Sequence, residues 1–254
     1  MDNERPALET YEALAKLIDL PLVRPELSDD EVRDGCELAV RCGIAAAVVR
    51  PCDVDIAVRC LRGTGVAVAS TSGFPHGSST TAAKLYETRD LIRRGAREID
   101  FVVNIGKLIS RQFPYIETEL VQAAKACHEE GAILKVVIET AYLAEDLKLI
   151  ACKLAKRAEA DFVSTSSGFA PKGYTSADLD LIYRKVQGRA KMKAGHGIQK
   201  LDHALDVYQR GADRMGSQHP AEVLDAWRER LAELKRERLA EPKTERDAAP
   251  VVIS

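Results

Sequence analysis

A chain of 254 residues, 46% of them hydrophobic, can bury a full core and suits one large α/β domain as well as two small ones. Its 37 basic and 39 acidic residues are interspersed and leave a formal charge of -2, which excludes the broad positive field that nucleic acid or an anionic membrane surface requires. No apolar run approaches the length of a membrane span, residues 1–6 are polar with no apolar leader behind them, and a cytosolic protein is expected.

In chain order, short β-rich apolar runs fall at 17–19, 44–50, 66–70, 98–103, 133–139, 162–166, 190–194 and 214–216. Segments of helical period lie between them at 29–41, 79–94, 116–130, 144–159, 176–186 and 201–210. This alternation predicts the α/β class and a parallel sheet, and eight strands predict a closed (β/α)8 TIM barrel with an additional N-terminal helix. A last amphipathic helix is expected over 220–239, with Pro220 in its first turn and an apolar stripe of Val223, Leu224, Trp227, Leu231 and Leu234. Residues 1–240 are thus expected to form one barrel unit. The polar, proline-flanked stretch 241–254 is expected to be a mobile tail whose apolar end frays rather than docks. Six cysteines, Cys36, Cys42, Cys52, Cys60, Cys127 and Cys152, include no Cys-x-x-Cys pair and read as reduced thiols, not as a disulfide framework or a zinc site.

A TIM barrel carries its working residues at the C-terminal ends of its strands. Strand alternation puts Asp100 with Val102, Lys135 with Val137, Ser164 with Ser166, and Lys191 with Lys193 on shared faces. Charged residues in strands are costly unless they point into a polar site, so these positions are candidates, with interior ion pairs as the plainer reading of each. His196 and His219 fall on loops after neighbouring strands and are expected near the barrel mouth, with substrate contact favoured over metal ligation. His76 lies on another such loop, while His128 and His203 are expected to be solvated on helices.

Several blocks resemble the deoxyribose-phosphate aldolase family of class I aldolases. Gly95-Ala96-Arg97-Glu98-Ile99-Asp100-Phe101-Val102-Val103-Asn104-Ile105-Gly106 is similar to the family's Gly-Ala-Asp-Glu-Ile-Asp-Met-Val-Ile-Asn-Ile-Gly, and Leu134-Lys135-Val136-Val137-Ile138-Glu139-Thr140 to Leu-Lys-Val-Ile-Ile-Glu-Thr. Met192-Lys193-Ala194-Gly195-His196-Gly197-Ile198 resembles Val-Lys-Ala-Ser-Gly-Gly-Ile, and Ser72-Gly73-Phe74-Pro75-His76-Gly77 resembles Ile-Gly-Phe-Pro-Leu-Gly. The segment Ser164-Thr165-Ser166-Ser167-Gly168-Phe169 is similar to Lys-Thr-Ser-Thr-Gly-Phe, but serine stands where the family places its Schiff-base lysine. Near the start, Ile18-Asp19-Leu20-Pro21-Leu22 keeps the aspartate of Ile-Asp-His-Thr-Leu and loses its His-Thr.

The resemblance implies a TIM barrel with Asp100 as acid/base, Lys193 as the second active-site lysine, and Asp19, Lys135, Ser166 and Ser167 lining the substrate site. Gly197 and Gly216 fall in the family's phosphate loops, which here carry His196, Gln218 and His219, and Lys172 is expected to restore some positive charge. No cofactor and no metal are implied. A serine hydroxyl at 164 cannot become an iminium, so it cannot act as the electron sink that carbon-carbon cleavage needs. No Gly-x-Ser-x-Gly elbow surrounds Ser164, which argues for polar lining over a serine nucleophile. Two functions stay open. One is altered aldol or retro-aldol chemistry on a small aldehyde or sugar phosphate, with Lys193 as the amine and the neighbouring cation Lys191 lowering its proton affinity. The other is a non-catalytic paralogue that binds a small carbonyl or sugar-phosphate ligand, or assembles as a homo-oligomer or with an active aldolase.

Overall fold

The computed structural model describes residues 7–240; the tail expected at 241–254 lies outside them. Eight parallel strands close into a barrel in sequence order: β1 (Ile18–Leu22), β2 (Ala46–Val49), β3 (Ala67–Ser72), β4 (Glu98–Val102), β5 (Ile133–Val137), β6 (Phe162–Ser164), β7 (Lys191–Ala194) and β8 (Arg214–Gly216). The ring closes through Ile18 opposite Met215 and Asp19 opposite Gly216. The helices are α1 (Tyr11–Ala15), α2 (Asp29–Cys42), α3 (Val54–Leu61), α4 (Thr81–Arg94), α5 (Ile105–Ile109), α6 (Phe113–His128), α7 (Glu145–Arg157), α8 (Ser176–Val186), α9 (Leu201–Gln209) and α10 (Pro220–Ala240).

Local chemistry sets these boundaries. α2 starts at a capping box in which Ser28 caps the Glu31 amide while the Glu31 carboxylate takes the Ser28 amide, and it stops at Gly43 in the left-handed region. α8 starts on the same device with Thr175 and Asp178. β1 runs through Pro21, three residues beyond the expected end at Asp19, and β3 reaches Ser72 instead of Ser70. The helices α3 and α5 were not anticipated from the sequence. α3 nonetheless buries Val54, Ile56, Ala57 and Leu61, a helical spacing.

Side chains that point outward from the strands pack under the helices in one large apolar cluster, whereas Ala46, Val48 and Ala69 form a small separate cluster. Cys36, Cys127 and Cys152 belong to the large cluster as free thiols, and burial pushes each up to about 12. Among the described residues no helix is long and apolar enough to cross a membrane. The last helix, α10, packs on α1, α2 and α9 through Val223, Leu224 and Trp227, while Leu231 is partly buried and Leu234 half-exposed. Trp227 is 1% exposed and its indole N–H donates to the Thr10 carbonyl at 3.0 Å, which ties the C-terminal helix to the segment before β1. Trp227→Ala therefore removes a filled volume and a buried donor together; it should cost about 3–5 kcal/mol and lower Tm by roughly 10 °C in a thermal melt.

Candidate functional site

The barrel interior is ionic. Strand alternation turns Asp19 of β1, Glu98 and Asp100 of β4, Lys135 of β5, Lys193 of β7 and Arg214 of β8 inward, where three carboxylates face three cations. The Lys193 ammonium lies 2.8 Å from Asp19 Oδ2 and 2.7 Å from Asp100 Oδ2. The Lys135 ammonium contacts Asp19 Oδ2 at 2.9 Å and Glu98 Oε2 more closely still, with Asp100 Oδ1 at 3.8 Å. Arg214 bridges Asp19 Oδ1 at 2.6 Å and Glu98 Oε1 at 3.1 Å. Below them the Phe162 ring meets Lys135, Lys191 and Arg214 at 5.9, 5.6 and 5.6 Å.

Such charges are tolerable in a barrel only because each has partners, since an isolated buried ion loses several kcal/mol of hydration. Burial alone would raise the Asp19 carboxyl, but Lys135, Lys193 and Arg214 outweigh it and hold the group below the ordinary carboxylate range. Burial would likewise lower the Lys135 amine, yet Asp19, Glu98 and Asp100 push it above the usual lysine value. The Arg214 guanidinium is raised for the same reason, with Asp19 and Glu98 overcoming its burial.

Above this layer a narrow cleft opens at the C-terminal ends of the strands. Asp19, Asp100 and Lys193 form its polar floor, Ser166 and Ser167 one side, and Val23, Val48, Phe74 and Val137 its apolar walls. Gly195 and Gly216 bring bare backbone to its edge; a Cβ on Gly195 would collide with the Ser166 carbonyl, so glycine is needed where β6 and β7 converge. The free volume of about 20 Å³ holds about one water molecule. Asp100 Oδ1 and the fully buried Ser164 hydroxyl have no hydrogen-bond partner.

Asp19, Asp100, Lys193, Ser166, Ser167 and Gly216 thus come together at the cleft, as expected. Lys135 differs, because it is fully buried beneath the floor and does not line the cleft. Ser164 sits opposite Lys193 in the strand register but is not among the residues that line the cleft. Lys191 does not supply the cation expected beside the Lys193 amine; it is exposed and lies against Phe162, while the partners of Lys193 are carboxylates. The loop residues are not gathered either. Lys172, Gly197 and Gln218 are exposed and outside the lining, and His219, just before α10, turns to Glu222 in that helix's first turn at 3.1 Å. The His196 ring packs on Gly168, and burial lowers its pKa, with Glu139 opposing. Among the described residues no cluster of three or more His, Cys, Asp or Glu side chains could hold a metal. His128, expected to be solvated, is exposed and pairs at the surface with Asp161 at 3.0 Å.

Sequence reasoning missed Glu98, Arg214 and Glu139. The first two carried a readable signal, a charge on the inward face of a strand. Glu139 is 1% exposed, has φ of 52°, and accepts from both the amide (2.9 Å) and the hydroxyl of Ser167.

The network makes stability depend on pH in a defined way. The contribution of Asp19 is complete above its unfolded pKa of about 3.9 and is lost as pH falls toward its depressed folded value; that of Lys135 is complete below about 10.4 and is lost as pH rises through its raised one. Asp19→Asn leaves three cations short of a partner and should cost about 3–5 kcal/mol at pH 7. Its stability should also fall less steeply than the parent's between about pH 4 and pH 2, as read by urea unfolding at each pH.

The DeoC/LacD family aldolase model matches residues 18–216, which is the whole barrel from β1 to β8. A deoxyribose-phosphate aldolase of Caldanaerobacter subterraneus is 36% identical over 223 residues, covering 87% of this chain and 96% of the relative. A solved structure called QR15, an aldolase, superposes with a TM-score of 0.80 at 32% identity, covering 90% of this chain and 99% of that one. The tetrameric deoxyribose-phosphate aldolase of Aeropyrum pernix superposes with a TM-score of 0.81 at 26% identity, covering 87% and 93%. The chain is a member of the DeoC/LacD aldolase family.

Proposed function

We propose that this barrel binds a small carbonyl compound without forming a covalent Schiff base, and that it has left the aldol reaction of its family. One observation carries the reading: the two interior lysines, Lys135 and Lys193, each contact at least two carboxylates, and position 164 offers only a hydroxyl. A Schiff base begins with attack by a neutral amine. Carboxylate neighbours favour the charged form of Lys135, and the Lys193 amine is held between Asp19 and Asp100. The floor keeps a use for a carbonyl ligand. Lys193 lines the cleft and supplies a donor there, so a carbonyl oxygen can be met.

A second reading has one observation in its favour, namely that Lys193 is the amine among the residues lining the cleft. On that reading Lys193 itself attacks the substrate, and Asp100 moves the protons. The two readings part in one experiment. Reduction with sodium borohydride in the presence of acetaldehyde, followed by peptide mapping by mass spectrometry, should leave Lys135 and Lys193 unmodified, while the same compound raises Tm in a concentration-dependent melt. An adduct on Lys193 would establish the covalent reading in its place.

A further inference from the structure

We infer that the cleft selects a small uncharged carbonyl compound and discriminates against its phosphate ester. The inference rests on the non-covalent reading above and adds the class of ligand.

The first ground is charge. The three interior cations face three carboxylates, so the floor presents no net positive charge to a dianion. The rim adds none. Lys172 is exposed and outside the lining, His219 is turned to Glu222, and burial keeps the His196 imidazole toward its neutral form.

The second ground is the state of the rim's hydrogen-bond donors. Phosphate recognition by a loop depends on backbone N–H groups free to point at the anion. Here the Ser167 amide and hydroxyl both donate to the Glu139 carboxylate, the Phe169 amide donates to Ser167 Oγ at 3.1 Å, and the Gly195 amide to Thr165 Oγ1 at 3.0 Å. On the far side, the His219 amide donates to Ser217 Oγ at 3.1 Å. The acceptor behind Ser167 is itself an anion. Glu139 is buried, keeps one oxygen without a hydrogen bond, and stands where it would repel a second anion at the rim.

The third ground is the mouth. The Phe74 and Phe169 rings meet edge to face, with centroids 5.2 Å apart and an interplanar angle of 84°. Phe74 lines the cleft beside Val23 and Val48, and Phe169 stays 42% exposed at its outer edge. A phosphate lying against this aromatic pair would gain nothing, whereas a methyl or methylene end would gain from it. The cleft as it stands holds about one water molecule, so even a ligand of five heavy atoms must displace that water and part the walls to enter, and its Kd should be no tighter than about millimolar.

Titrating the protein with hydroxyacetone, hydroxyacetone phosphate and inorganic phosphate at matched ionic strength tests this, read from the methyl NMR shifts of Val48 and Val137. Hydroxyacetone should bind at least tenfold more tightly than its phosphate ester, and inorganic phosphate should not displace it. Phe169→Arg, a change at an exposed site, should narrow that ratio at least threefold by giving the rim a cation. Glu139→Gln should narrow it by removing the anion behind Ser167. Equal or tighter binding of the ester by the parent protein overturns the selectivity and leaves the non-covalent reading standing. No shift with either carbonyl compound, or a lysine adduct after borohydride reduction, overturns the non-covalent reading itself.

Discussion

The shared carboxylate of Asp19 is the constraint on which the rest of the site depends. It receives Lys135, Lys193 and Arg214 together, and it sits on β1 opposite Gly216 of β8, where the barrel closes. Each of the three cations has a second carboxylate, Glu98 or Asp100, so the six charges form one neutral assembly. Removing any one member would leave a buried charge without its counterpart, which is a heavier loss than the pair contributes in net stability. The network therefore has a structural reason to persist whatever becomes of the chemistry above it.

Ser164 acquires its meaning from that assembly. It lies in register with Lys193 and Val137, and its hydroxyl is buried with no hydrogen-bond partner. A hydroxyl adds no charge, so the balance of three against three is complete without it. The cleft above is correspondingly modest: a polar floor, apolar walls, an aromatic mouth and little free volume. Membership of an aldolase family fixes the barrel, but the activity of a site is decided by its own groups.

Much of this was readable from the residues, and the limits have physical causes. Asp19, Asp100 and Lys193 stood out because strand alternation and the cost of burying charge leave inward-facing ions few explanations. Glu98 and Arg214 carry the same signal at the starts of their strands, and attention to C-terminal strand ends passed over them. Alternation gives the face of a residue but not its depth. Lys191 and Lys193 share a face, yet they stand two residues, roughly 6.6 Å, apart along the strand, and one reaches the cleft while the other lies exposed against Phe162. Pro21 reads as a strand stop because it lacks an amide donor, although β1 continues to Leu22. The five-residue α5 is too short to show a period. The loops were hardest to place. His219 is drawn to Glu222 three residues ahead, and the role of Glu139 depends on a left-handed backbone that no sequence pattern announces.

The central claim is that the Lys193 amine is held by carboxylates as a structural ion and is not free for chemistry. A double-mutant cycle on Asp100→Asn and Lys193→Met, measured by urea unfolding at pH 7, addresses it directly. The account predicts a coupling energy of about 1–3 kcal/mol between the two positions, as expected for a buried pair in contact at 2.7 Å. Additivity within about 0.5 kcal/mol would contradict it, because it would mean that the amine and the carboxylate do not hold each other.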